Sequence, residues 1–185
     1  MFRKTALVVL GMSTYLTSNI ALAENQYVGG SLAFAEYSED GVDDDASLNV
    51  LIGRFGTYLN ENFAVEARLG MGVGDDSVSA SNGTDDVSID LELDHMYGLY
   101  IRAGQQVENF YPYAVAGMTK GKLSLSAKVN NSSVSISDSA SGFSYGFGTD
   151  FDLGNNLALN FEYMNYIEKD DYQFDAFSFG IISKF

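Results

Sequence analysis

The sequence of 185 residues has no cysteine, no tryptophan, one proline (Pro112) and one histidine (His95). Without cysteine, even an oxidising compartment offers the chain no disulfide. With one histidine, neither a Cys–His nor a three-histidine zinc site can be built. After Ala23 there is no apolar run of about 18 residues, so no transmembrane helix is expected. An exported chain of this kind enters a membrane only as a closed barrel. Basic residues are also scarce, 10 against 25 acidic, for a net charge of −15. Such a surface repels nucleic acid and anionic membrane surfaces. What the chain does have is glycine and aromatics: 19 Gly, 13 Phe and 12 Tyr. That mixture favours strands and close backbone packing over helices.

The N-terminus reads as a leader. Phe2-Arg3-Lys4 is a short basic stretch, and Thr5 to Ile20 is mostly apolar but too short to span comfortably as a helix. Ala21-Leu22-Ala23 is a small-x-small cleavage site, which predicts a signal peptide over 1–23 and a mature domain over 24–185. An uncleaved anchor is the competing reading, disfavoured because no stop-transfer pattern follows. Losing Arg3 and Lys4 leaves 8 basic residues against 25 acidic, a net charge of −17.

Hydrophobicity then alternates with period two in segments of about ten residues, the length of a membrane-crossing strand. The clearest runs from Val87 to Gly104. Val87, Ile89, Leu91, Leu93, His95, Tyr97, Leu99, Ile101 and Ala103 form one set. Ser88, Asp90, Glu92, Asp94, Met96, Gly98, Tyr100, Arg102 and Gly104 form the other. A helix would mix the two. Strands are also expected over Tyr27 to Tyr37, Leu48 to Leu59, Phe63 to Gly74, Pro112 to Ala127, Phe143 to Leu153, around Leu157 to Tyr166, and Phe177 to Phe185. In the Pro112 segment, Tyr113, Val115, Leu123 and Leu125 are set outward against inward Ala114, Ala116, Lys120 and Lys122.

Connections alternate in character. Asn60-Glu61-Asn62, Gln105 to Asn109 and Gly154-Asn155-Asn156 are short and turn-like. Ser38 to Ala46, Asp75 to Asp86, Lys128 to Ser141 and Glu168 to Tyr172 are longer and polar. The expected fold class is all-β, an eight-stranded antiparallel up-and-down transmembrane β-barrel with both termini periplasmic. A soluble sandwich or lipocalin-like barrel is the alternative, but it would put the large apolar side chains inside. Here the polar face carries small residues and charges of both signs, as a narrow interior requires. Aromatics such as Tyr97, Tyr113, Tyr145, Tyr163 and Phe185 are candidates for the interfacial girdles.

Tyr27-Val28-Gly29-Gly30-Ser31, the hairpin Asn60-Glu61-Asn62-Phe63-Ala64-Val65-Glu66, Tyr111-Pro112-Tyr113-Ala114 and terminal Phe185 together resemble the OmpX/Ail/OmpA-type outer-membrane barrels. The resemblance covers Tyr27 to Phe185. The chain ends at Phe185, so it looks like the short, barrel-only members. It implies roles in envelope integrity, adhesion or host contact. It also implies that Gly180, Ile181 and Phe185 form the signal read by the barrel-assembly machinery, although Ser183 stands where an aromatic is usual.

Three readings of function follow. The first is a non-enzymatic structural or surface-interaction protein. Its expected partners are outer-membrane lipid and lipopolysaccharide, the assembly machinery, and divalent cations or a host surface ligand; nucleic acid is not among them. The second is a narrow passive channel, resting on a charged lumen of Arg54, Glu66, Arg68, Asp90, Glu92, Asp94, Arg102, Lys120, Lys122, Asp150 and Glu162. An eight-stranded barrel is filled by its side chains, so the same residues also read as an internal ion-pair network. The third is a lipid-A-modifying enzyme built on outward-facing His95. Its two-residue neighbour is Tyr97, and the serine that some lipid-A-deacylating barrels carry there is missing. No catalytic residue and no cofactor is assigned. Asp40, Asp43, Asp44 and Asp45 supply hard oxygen ligands in one loop, but without EF-hand spacing. The Ser/Asn-rich stretch Asn130 to Ser141 reads as flexible.

Overall fold

In the computed structural model the described residues are 25–39, 46–73, 76–81, 86–129, 132–169 and 172–185. Period-two patterning becomes nine strands and, among the described residues, no helix. In chain order they are β1 Gln26–Glu39, β2 Ala46–Tyr58, β3 Phe63–Gly72, β4 Asp76–Ser81, β5 Asp86–Gly104, β6 Phe110–Val129, β7 Ser132–Gly154, β8 Leu157–Lys169 and β9 Tyr172–Lys184.

The sheet order is β3-β2-β1-β9-β8-β7-β6-β5-β4, and a further β3–β5 pairing closes it. Every pairing is antiparallel. β3 and β4 both pair with β5, at Phe63–Gly70 and Asp76–Ser81, so they share one position and the barrel is eight-stranded. Closure gives every backbone group in the wall a partner, which a hydrocarbon environment demands. The chain ends join the closure: the Asn25 and Gln26 amides donate to the Phe185 carbonyl, and the Phe185 amide donates to that of Gln26.

The short connections behave as expected. The Asn60 side chain accepts hydrogen bonds from the amides of Asn62 and Phe63, each at 2.9 Å. Gly154, Asn155 and Asn156 take positive φ values of 80°, 53° and 62°, which Gly and Asn tolerate. Two expected long loops differ. Asp76–Ser81 is strand, and β6 and β7 pair out to Val129↔Ser132, so most of Lys128 to Ser141 is hairpin. Alternating serines suit a solvated strand as well as a loop, and pairing decided between them. The acidic stretch with Asp40, Asp43, Asp44 and Asp45 lies outside the described residues.

Large apolar side chains cover the outside, among them Leu69, Leu99, Ile101, Phe147, Phe177 and Ile181. Phe34 stacks on Phe179, with ring centroids 5.9 Å apart. Inside, the half near the short turns is charged. The half near the long hairpins is apolar, with Leu48, Val50, Leu93, Met96, Ile167 and Phe174 buried. This upper layer encloses a cavity of about 20 Å³, lined chiefly by Leu93, Met96, Leu123, Ile167 and Phe174.

Candidate functional site: the barrel interior and its projecting sheet

Six ionised side chains meet in the charged half. β2 contributes Arg54, β3 Glu66 and Arg68, β5 Arg102, β7 Asp150 and β8 Glu162. All six are buried. Arg68 Nη1 and Nη2 donate to Glu162 Oε1 and Oε2 at 2.6 and 2.8 Å, and its Nε donates to Glu66. Arg54 Nη2 donates to Glu162 Oε1 at 3.2 Å. Arg102 bridges Glu66 Oε2 at 3.3 Å and Asp150 Oδ2 at 2.7 Å. Three guanidinium groups face three carboxylates, so the cluster is neutral. That balance, with hydrogen bonds on most lone pairs, is what makes such deep burial of ions tolerable.

Neutral groups complete the network. The Tyr27 hydroxyl donates to Glu66 Oε2 at 2.6 Å, and Tyr113 donates to Glu162 Oε2 at 2.8 Å. Asn160 Nδ2 donates to Asp150 and to the Tyr113 oxygen, at 2.7 and 2.8 Å. Arg102 lies over the Tyr113 ring, 3.7 Å from its centroid, and Arg68 over Tyr100 at 4.5 Å. The tyrosines are the part that sequence reasoning missed. A tyrosine in an alternating segment reads equally well as a girdle residue or as an interior donor, and no local pattern separates them.

The other expected lumen residues are elsewhere. A β-bulge between Leu93 and His95 inserts one residue into β5. A bulge exchanges the faces of everything beyond it. Leu93 therefore turns inward and is buried, while Glu92 is exposed. Asp94 pairs with Lys122 at 3.0 Å, both partly exposed, away from the buried cluster. Asp90 pairs through its backbone with Ser126; its side chain lies outside the described residues. The faces of β6 are the reverse of those expected. Tyr113 and Val115 are buried, Leu123 lines the interior cavity, and Ala114, Ala116 and Lys120 are exposed. Small Ala114 and Ala116 are compatible with either face, whereas Tyr113 is needed inside by Glu162. Tyr113 is accordingly no girdle residue, while Tyr97 and Tyr145 are exposed on the outside.

His95 is exposed and stacks on Tyr97, with centroids 6.5 Å apart and planes 7° from parallel. Of the proposed assembly residues, Ile181 faces outward, and Gly180 packs where a Cβ would meet the Gly30 carbonyl oxygen at 2.3 Å. Phe185 is held by the terminal hydrogen bonds described above.

The second feature projects from the barrel. The β7–β8 ladder begins at Tyr145↔Asn165, whereas β7 pairs with β6 from Ser132 onward. In the described pairings, Ser132–Ser141 is therefore bonded on one side only. β4, the start of β5, the end of β6 and the start of β7 form a four-stranded sheet beyond the barrel wall. Ser135, Ile136, Ser137, Asp138 and Ser139 are all exposed, so here both faces meet solvent.

A closed, inside-out barrel with an ionic interior and a projecting sheet defines a membrane β-barrel. Residues 5–185 match the outer membrane protein beta-barrel domain family, and the chain belongs to that family. Among solved structures it is similar to Ail, the attachment invasion locus protein of Yersinia pestis, in complex with the heparin analogue sucrose octasulfate. The identity is 18%, with a TM-score of 0.62, covering 88% of this chain and 100% of that one. Neisserial surface protein A is 18% identical with a TM-score of 0.60, covering 86% of this chain and 97% of that one. The N-terminal β-barrel domain of Pseudomonas aeruginosa OprF is 11% identical with a TM-score of 0.53, covering 86% and 98%. At these identities the likeness concerns the fold. No curated protein matches the sequence.

Proposed function

We propose that this outer-membrane barrel is a surface-interaction protein whose projecting sheet docks an extended segment of a partner. The observation behind the reading is the one-sided pairing of Ser132–Ser141. An unpaired strand edge offers a row of backbone donors and acceptors, the basis of recognition by strand addition. The barrel supplies a rigid support and the sheet supplies the contact. In this reading residues 1–23 are a cleaved signal peptide, the assembly machinery reads Gly180, Ile181 and Phe185, and the short turns and both termini face the periplasm.

With the leader removed, 8 basic residues stand against 25 acidic, and this net charge of −17 points to a partner segment rich in basic residues. The sulfated ligand in the Ail structure is a polyanion, which this charge balance disfavours. Divalent cations at the acidic loop of Asp40, Asp43, Asp44 and Asp45 belong to the same reading. The reading is non-catalytic: Tyr97, which stacks on His95, stands where a lipid-deacylating barrel carries its serine. A passive channel is the weaker reading, because the interior is filled by the ion-pair cluster and by the apolar layer above it.

The test shortens the hairpin. Removing residues 127–134 and joining Ser126 to Ser135 through Asn-Gly retains a tight turn and removes the tip of the projecting strand. Adhesion of expressing cells and their survival of envelope stress are then compared with the parent. The variant should fold and lose adhesion. A folded variant with unchanged adhesion and resistance sinks the reading.

A further inference from the structure

The outward wall changes character where β8 is irregular. Met164 and Tyr166 both point into the barrel: Met164 belongs to the buried core, and the Tyr166 hydroxyl accepts from Arg68 Nη1 at 3.4 Å. Asn165, between them, therefore faces outward. A bulge between Asn165 and Ile167 then turns Ile167 back to the lumen, where it lines the cavity. Asn165 is only 2% exposed, yet neither its Oδ1 nor its Nδ2 has a hydrogen-bond partner. A buried amide left this way is destabilising unless an ion or another polar group meets it.

Its neighbours along the sheet are acidic. Asn165 stands directly opposite Asp175 in the β8–β9 ladder, and Asp175 directly opposite Glu36 in the β9–β1 ladder. Directly opposite residues share a face, with Cβ atoms about 4.5–5.5 Å apart. Tyr163, two residues before Asn165 and on the same face, donates its hydroxyl to Asp175 Oδ2 at 2.9 Å. Glu36 is exposed and Asp175 partly so. The three residues thus form one outward row across β1, β9 and β8. Two adjacent carboxylates repel, and neither has a lysine or arginine partner among the described contacts.

The row stands at a boundary. A tilted strand needs roughly nine to eleven residues to cross the bilayer. Glu36, Asn165 and Asp175 lie about that far along their strands from the short-turn end. Just below, Phe34 and Phe177 are opposite each other and face out, 47% and 54% exposed. The β7–β8 ladder ends at the same level, at Tyr145↔Asn165. At this edge the repulsion between two carboxylates is less screened than in bulk water.

We propose that Glu36, Asp175 and the amide oxygen of Asn165 bind a divalent cation on the outer wall of the barrel. Asn165 forms the floor of the site and the two carboxylates its accessible rim. Carboxylate and amide oxygens are the hard donors such ions take, and Ca²⁺ fits best, because water readily completes its flexible shell of roughly six to eight oxygens. The cation neutralises the acidic pair, meets the buried amide and ties three strands together. With solvent supplying the remaining ligands, the affinity should fall at about 0.1–1 mM, the range of extracellular sites. The site is independent of hairpin docking.

The experiment folds the full chain into phosphatidylcholine nanodiscs, with empty discs as the blank, and titrates Ca²⁺ by calorimetry and by the thermal unfolding midpoint. The parent should bind saturably and gain thermal stability, and EDTA should reverse both. Glu36→Gln and Asp175→Asn should each weaken binding about tenfold or more, because affinity follows ligand charge count. Glu36→Gln should also raise the midpoint of the cation-free barrel by relieving the repulsion, which loss of a merely structural residue would not do. Asn165→Asp should do the reverse, lowering the cation-free midpoint and tightening Ca²⁺ binding. Asp43→Asn/Asp44→Asn/Asp45→Asn should leave binding unchanged. A gel mobility shift between boiled and unboiled samples establishes that each variant is a folded barrel. No saturable binding by a folded parent overturns the site, as does an equal response to Na⁺ at matched ionic strength, which is screening alone. Binding lost in the loop variant but kept in Glu36→Gln/Asp175→Asn overturns it in favour of the acidic loop. None of these outcomes touches hairpin-dependent adhesion, so failure here and failure of the surface reading are separate results.

Discussion

Arg68 and Glu162 form a two-pronged pair, with Nη1 on Oε1 at 2.6 Å and Nη2 on Oε2 at 2.8 Å, although 94 residues separate them. The pair joins β3 to β8 across the lumen. Glu162 also takes hydrogen bonds from Arg54 and Tyr113, so four barrel strands depend on one carboxylate.

Glu162→Gln should destabilise the barrel by about 3–5 kcal/mol, because it removes the ion pair of buried Arg54 and leaves buried Arg68 with Glu66 alone. Urea unfolding in bilayers measures it. A loss below about 1 kcal/mol would show that solvent reaches the cluster.

Leu99 is 71% exposed and sits midway between the short-turn end of β5 and the outer rim. Leu99→Arg should cost about 2–4 kcal/mol, the penalty for a cation facing lipid near the midplane. Lys120→Leu, at the rim, should cost far less. Equal stability of Leu99→Arg and the parent in bilayers would contradict the inside-out assignment.

A Cβ on Gly56 would meet the Tyr27 ring at 2.1–2.4 Å. Gly56→Ala should therefore push Tyr27 off Glu66 and cost about 1–3 kcal/mol. Tyr27→Ala in the same chain should recover the steric part, so the two changes should combine to less than their sum. Strict additivity in a double-mutant cycle would argue against this contact.

The interior predicts closed behaviour in planar bilayers. The parent should show no discrete conductance steps under conditions where a porin does. Steady unitary currents from purified, folded protein would revive the channel reading.

How far was this legible beforehand? The alternation from Phe63 to Gly72 was enough to place Glu66 and Arg68 inside, because β3 runs without irregularity and its burial alternates residue by residue. Asp150 and Glu162 followed on the same ground. Glu92, Asp94, Lys120 and Lys122 went to the wrong side. A single bulge in β5 reversed the first two, and the amphipathic ambiguity of Tyr113 and Ala114 concealed the face of β6. Neither has a local signal, since one inserted residue leaves the hydrophobic count of a segment unchanged.

What the sequence by itself determined was a two-residue period in strand-length segments, with short turns alternating with long connections. Those local properties dictate an all-β wall with one apolar face. Only the tertiary structure decided which carboxylate met which guanidinium, that the hairpin half of the lumen is apolar, and that Ser132–Ser141 of β7 has one strand neighbour among the described residues. Such outcomes depend on register between strands tens of residues apart. Register is fixed when the closed sheet satisfies its backbone hydrogen bonds and interior volume together.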